Sequence, residues 1–331
     1  MTQIATTVDF KKPGKQVGWL RVPHSVTRSA YGVVPVPIAV LRNGEGPAIL
    51  LVAGTHGDEY EGQVVLTRLI QELQPRDMRG LLIVMPALNT PATVAGTRTS
   101  PLDEGNLNRA FPGDPDGAPT WKIADYVHNH LVPMVDVVAD FHGGGASLAY
   151  RPHASTHFSP AGGPALRERS LAAVKALGIP HVMIFESAHA SGSMSAATRA
   201  HGKIYLNGEY GGTASISRDS VARVDEAVRR LLSFFGAIDA RFDPPPEPQV
   251  LAVFGPDAYV YADDAGVFVP AVRLGDSVRK GDPCGHIYFP ETPSRPPVEM
   301  VFSGAGDVVC QRHPARVERG DCLAHLARSI T

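Results

Sequence analysis

Between residues 48 and 237 the chain alternates short apolar runs with longer amphipathic stretches, and few folds accept that pattern. The runs "AILLVAG" (48–54), "LLIVMPA" (81–87), "VDVVADFH" (135–142), "HVMIFES" (181–187) and "KIYLNGE" (203–209) read as strands buried on both faces. Helices are expected between them at about 60–73, 119–131, 163–177 and 219–236. Strands alternating with helices of this length imply an α/β fold, a mostly parallel or mixed sheet flanked by helices. Ligands of such sheets gather at the carboxyl ends of the strands. His56, His142 and Glu209 each fall at or just beyond a predicted strand end, so one mouth of one sheet can hold all three.

A second pattern takes over after "RFDPPPEPQ" (241–249). Three consecutive prolines cannot continue a helix and favour an extended, semi-rigid connector. Beyond it, "VRKGDPCGHI" (278–287) matches "VERGDCLAHL" (317–326) at an offset of 39 residues, aligning Val, Gly-Asp and His. Two related strand-turn units imply a small pseudo-symmetric β-sandwich or barrel, and the arrangement resembles the half-barrel repeat of biotinyl/lipoyl carriers. Carriers present a modified lysine between the halves, but "FPETPSRPPVEMVFSG" (289–304) has none, so a lid or scaffold is expected instead. His286 and His325 occupy matching repeat positions, which shared packing explains better than metal binding. The expected organisation is a catalytic α/β domain over 1–240, with an N-terminal β segment at 1–47. A Pro-rich linker (241–249) and the β-domain (250–331) follow. "VVPVPIAVLRNG" (33–44) reads as a strand whose edge could pair with another subunit, which would make the protein a homo-oligomer.

Composition narrows the function. A chain of 331 residues exceeds the roughly 250–300 at which single cores stop growing. A formal net charge of −2 gives no support to nucleic acid or an anionic membrane as partner. The opening "MTQIATTVDFKKPGKQ" lacks a signal-peptide core, and no stretch approaches the roughly 20 apolar residues of a membrane span. Cys284, Cys310 and Cys322 are odd in number and form no CxxC pair, as expected of reduced cysteines in a cytoplasmic protein. These features fit a cytoplasmic enzyme acting on a small molecule.

"VAGTHGDEYEG" (52–62) places polar groups where a buried strand has just ended. One explanation is a solvated turn opening a helix, with Asp58 and Glu59 favoured by the helix dipole. The other is a metal site. His56 and Glu59 form an H-x-x-E pair, and catalytic zinc sites commonly combine two histidines with a carboxylate and leave one position open. His142, followed by three glycines, is the best third ligand. Asp58 is either a partner of the ligands or a turn carboxylate. Asp140, on the same strand face as His142, either orients a ligand or is a hydrogen-bonded core residue.

Hydrolysis at such a site needs a carboxylate to move the proton of the attacking water. Glu209 in "YLNGEYGG" is the candidate, with Glu186 as its rival; an exposed turn glutamate is the plain alternative. The loop "GTRTSPLDEGNLNRAFPG" (96–113) carries Arg98 and Arg109, whose forks suit carboxylates, and Asn108, which can add an amide hydrogen bond. Two surface arginines are the alternative there, although structureless loops of this length are usually functional or disordered.

"GTHGDE", "NLNRAF", "DFHGG" and "NGEYGG", in this order, resemble the succinylglutamate desuccinylase/aspartoacylase family, relatives of the zinc carboxypeptidases. The resemblance covers roughly residues 48–331. It implies one zinc per chain on His56, Glu59 and His142, with Glu209 as general base and acid. It further implies that Asn108 and Arg109 hold a substrate carboxylate and that Arg98 polarises the scissile carbonyl. Within the family, "HGDEYEG", "GTRTSP" and "GNLNRAFPG" look most like the N-acetyl-diaminobutyrate deacetylase branch. The expected activity is zinc-dependent hydrolysis of a small N-acyl amino acid. A peptide-cleaving zinc carboxypeptidase and a non-catalytic binding protein are the alternatives. No G-x-S-x-G, Walker loop or complete G-x-G-x-x-G is present to support a serine hydrolase, P-loop or dinucleotide enzyme.

Overall fold

The computed structural model describes residues 4–158, 162–185 and 191–330. The N-terminal part is built from β1 (Ala5–Thr6), β2 (Gly14–Pro23), β3 (Val33–Asn43), β4 (Ala48–Ala53), β5 (Gly80–Met85), β6 (Val137–His142), β7 (Leu148–Tyr150), β8 (His153–His157), β9 (His181–Phe185) and β10 (Ile204–Glu209). Its helices are α1 (Glu61–Glu72), α2 (Thr90–Ala95), α3 (Pro119–Tyr126), α4 (Gly163–Ala176), α5 (Met194–Ala200) and α6 (Arg218–Phe234). Then come β11 (Gln249–Ala252), β12 (Tyr259–Tyr261), β13 (Gly266–Pro270), β14 (Ser277–Val278), β15 (Pro283–Tyr288), β16 (Val298–Val301), β17 (Gly306–Arg312), β18 (Arg316–Val317) and β19 (Cys322–Ser329).

The large sheet runs β1-β2-β3-β5-β4-β6-β10-β8-β9-β11-β19-β17-β14 and is mixed. β5, β4, β6 and β10 are mutually parallel, whereas β8 lies antiparallel to β10. Burial along β4 shows why its run is uninterrupted. Ile49, Leu51 and Ala53 join the core beneath α1, α4 and α6. Leu50 and Val52 join a second core with α3 and α5 on the other face. A strand covered on both sides has no solvent face to mark with polar residues.

β3 pairs with β2 along its length and, over Ala39–Asn43, with β5 on its other side. One expectation changes here. The helix expected at 119–131 is α-helical only to Tyr126, then widens into a π turn over Val127–Leu131. Pro133, which cannot donate an amide hydrogen, lies in the 3₁₀ turn that ends it.

The repeated C-terminal motifs form equivalent turns. In one the Arg279 amide donates to Asp282 at 2.7 Å, in the other the Glu318 amide donates to Asp321 at 2.9 Å. β13, β15, β16 and β18 make a separate antiparallel sheet over a shared core. This β unit is stitched to the large sheet through β19 on β11 and β17 on β7. His286 is half-exposed near Glu299, while His325 is buried and stacked on Tyr259 at 4.4 Å. Cys284 and Cys310 are buried and all three cysteines are free thiols. No helix among the described residues is long and apolar enough to cross a membrane.

Candidate metal and active site

β4 and β6 are neighbours in register, so the segments leaving their carboxyl ends meet. His56 and Glu59 come from the turn between β4 and α1, and His142 is the last residue of β6. Glu59 lies between the two rings, with Oε1 2.7 Å from His56 Nδ1 and Oε2 2.8 Å from His142 Nδ1. All three side chains are buried. One ligand atom from each lies within 4.8 Å of the others.

The opposite ring nitrogens are already committed. His142 Nε2 is 2.8 Å from Asp140, and His56 Nε2 is 3.3 Å from the Asn106 side-chain oxygen. An Nε2–H donated to an oxygen leaves the lone pair on Nδ1, the tautomer a metal-binding histidine requires. Asp140 is fully buried and also accepts from Thr55 at 3.0 Å and from the Tyr205 hydroxyl. Burial opposes a charged His142, yet Asp140 and Glu59 raise its pKa well above the ordinary histidine value. Burial likewise opposes ionised Glu59, but His56 and His142 hold its pKa well below the usual range. His56 is pushed down, chiefly by burial. Negative charge that holds a proton between these groups can equally hold a divalent cation, so the donor set fits a metal.

Asp58 faces away from this centre. Its Oδ2 accepts the Ala146 amide at 2.7 Å, which ties the glycine loop after β6 to the turn after β4. Gly145 in that loop has φ +55°, and a Cβ there would lie 2.5 Å from the Asp58 carboxylate. Glycine is required at this position by both backbone angle and space.

β10 lies beside β6 with Glu209 opposite His142, which brings a second carboxylate to the same mouth. One Glu209 oxygen is buried and has no hydrogen-bond partner. Burial, with the Glu59 carboxylate nearby, raises the Glu209 pKa to about 8. A carboxyl tuned this way can both accept and release a proton near neutrality. Glu186 lies outside the described residues.

The 96–113 loop closes the other side. Asp103 fastens it to the start of α3 through the Thr120 amide and hydroxyl, each at 2.8 Å. Asn108 fastens it to α5 by accepting the Met194 amide at 3.0 Å. Arg98 reaches the triad, its Nη1 3.4 Å from Glu59 and from His56 Nδ1. Arg109 stays exposed and is braced by its bond to the Asn108 carbonyl at 2.7 Å. His56, His142, both arginines and Glu209 line one cavity of about 340 Å³.

All seven sequence-predicted site residues (His56, Glu59, Arg98, Asn108, Arg109, His142 and Glu209) therefore lie at one place. Thr55, Asn106, Tyr150, Tyr205 and Asn207 also belong to it and were not anticipated. Tyr205 and Asn207 were open to inference, because they stand four and two residues before Glu209 on the same strand face. Asn106, in the motif next to Asn108, carried a weaker signal, and the others carried none.

Comparison with known proteins places the chain in a family. Residues 45–235 match the succinylglutamate desuccinylase/aspartoacylase catalytic domain. The chain is 39% identical to the N-alpha-acetyl-L-2,4-diaminobutyric acid deacetylase of Halomonas elongata, over 99% of this chain and 95% of that protein. It superposes on the product-bound ectoine utilization protein EutE (DoeB) of Ruegeria pomeroyi with a TM-score of 0.95 and 36% identity, covering 99% and 100% of the two chains. A succinylglutamate desuccinylase/aspartoacylase from Rhodobacter sphaeroides gives a TM-score of 0.93 at 34% identity over 100% of both chains. With the matched catalytic domain spanning more than half of its length, the chain belongs to the succinylglutamate desuccinylase/aspartoacylase family of amidohydrolases.

Proposed function

We propose that the protein is a zinc-dependent deacylase that cleaves the amide of a small N-acyl amino acid of the N-acetyl-diaminobutyrate kind. The convergence of two Nδ1 atoms and one carboxylate on a cavity that also holds two arginines and Glu209 carries this reading. His56, Glu59 and His142 would hold the metal, which when bound supplies polarisation of water and of the amide carbonyl.

The chain's own groups do the rest. Arg109 and the Asn108 amide take the substrate carboxylate, a pairing suited to a planar anion. Arg98 stabilises the charge that grows on the carbonyl oxygen. Glu209 takes a proton from the attacking water and gives it to the departing nitrogen. The amide C–N bond breaks, and a carboxylate and a free amine leave. Residues 1–240 would form the catalytic domain. The β unit after the 241–249 linker would act as a scaffold that narrows access, which favours a small substrate over a peptide. The free cysteines suit a reducing, cytoplasmic setting.

The test is amine release from N-acetyl-diaminobutyrate, N-acetyl-aspartate, N-succinyl-glutamate and a set of dipeptides. Turnover of an N-acyl amino acid without dipeptide cleavage supports the proposal. Cleavage of dipeptides alone would replace it with a carboxypeptidase.

A further inference from the structure

β7 follows the glycine loop after His142 and crosses the end of β10, where the Tyr150 amide donates to the Gly211 carbonyl and Ala149 bridges Gly212. Its outer edge is held by β17 of the C-terminal unit, with Tyr150 opposite Cys310 and Leu148 opposite Arg312. Side chains two apart on a strand point the same way. Leu148 and Tyr150 both line the active-site cavity, and Ala149 lines a neighbouring cleft to which Tyr150 also contributes. Tyr150 stands opposite Cys310 on β17, and its ring meets the His153 ring edge-on at 5.7 Å.

The cavity thus has two unlike walls. One is the 96–113 loop with Arg98, Asn108 and Arg109, cationic and rich in hydrogen-bond donors. The other is β7 with Leu148 and the Tyr150 ring, joined to the segment just past Glu209 at the end of β10. An N-acyl amino acid has its carboxylate on one side of the scissile bond and its acyl chain on the other. With the carboxylate on the arginine wall, the acyl chain is directed to β7.

We infer that Leu148 and Tyr150 form the acyl subsite and that Leu148 sets the length of acyl chain admitted. This rests on the N-acyl amino acid reading above. The C-terminal unit then contributes to specificity through β17, which fixes the position of β7.

The experiment compares kcat/KM for N-acetyl, N-propionyl and N-butyryl derivatives of one amino acid in the wild type and in Leu148→Ala, with folding and bound metal checked in each. Leu148→Val serves if the alanine variant does not fold. The wild type should prefer acetyl to butyryl by at least about tenfold, the discrimination a filled apolar pocket achieves per added methylene. Leu148→Ala should narrow that gap about tenfold by raising butyryl turnover. An unchanged gap in a folded, metal-loaded variant would overturn the subsite. So would a variant whose selectivity changes only among amino-acid side chains, because that result would assign β7 to the amine side. Failure of the wild type on every acyl derivative would overturn the deacylase reading and the subsite with it.

Discussion

Asp140 and His142 stand two residues apart on one face of β6, and the Asp140 carboxylate lies 2.8 Å from His142 Nε2. This contact sets the ring so that Nδ1 faces Glu59. Asp140→Asn keeps the shape but puts an N–H where Thr55, Tyr205 or His142 must donate. Metal affinity should fall about 10–100-fold, the usual cost of losing such a partner. A competitive chelator titration measures it, and excess zinc should restore part of the activity.

Glu209→Gln removes the proposed proton carrier and leaves His56, Glu59 and His142 in place. The metal should stay bound while kcat falls about 10²–10⁴-fold, the range that general acid–base catalysis supplies. KM should change little, because Glu209 is not asked to bind the ground state. Metal analysis and steady-state kinetics on one preparation test both statements.

If Arg109 takes the substrate carboxylate as proposed, its loss should appear as substrate selectivity. Arg109→Ala should reduce kcat/KM for an N-acyl amino acid about 10–100-fold, as expected from 1.5–3 kcal/mol for a hydrogen bond to a charged group. The same variant should lose far less on the corresponding amino-acid amide, which has no carboxylate to lose. Equal losses on both compounds would remove Arg109 from the role.

Acid should destabilise the fold through buried neutral histidines. Burial lowers His325 to about 3 and His153 to about 4. In the unfolded chain both titrate near 6.5, so between these values the unfolded state binds more protons. Their contribution to stability is complete above about pH 6.5 and is lost as pH falls towards 3–4. Both His325 ring nitrogens are buried without a partner, and the ring is stacked on Tyr259. His325→Phe keeps the stack and removes the titrating group. Its acid-unfolding midpoint, followed by circular dichroism, should therefore move to lower pH than that of the wild type.

The order of strands and helices between residues 48 and 237 was legible because double-sided burial writes apolar runs into the sequence, and the runs coincide with β4, β5, β6, β9 and β10. The cluster of His56, Glu59 and His142 was legible for a related reason. Ile49 and Leu51 sit in the core, so the first polar residues after β4 mark the strand's mouth. What escaped was pairing between distant segments. Residues 33–44 read correctly as a strand, but nothing local revealed β2 on one side and β5 on the other. β8 joins the sheet antiparallel between β10 and β9, out of sequence order. Tyr150 reaches the cavity through the pairing of β7 with a strand some 160 residues later, as Cys310↔Tyr150 shows. Thr55 approaches Asp140 from the turn after β4 and Tyr205 from within β10, and no spacing rule links them to it.

The central claim is a single catalytic metal on His56, Glu59 and His142, and the most direct measurement is amine release from N-acetyl-diaminobutyrate as zinc is removed and returned. The protein should hold about one zinc per chain, lose turnover on chelation, and recover it fully when one equivalent of zinc is added back. Undiminished turnover by folded protein stripped of metal would contradict the claim.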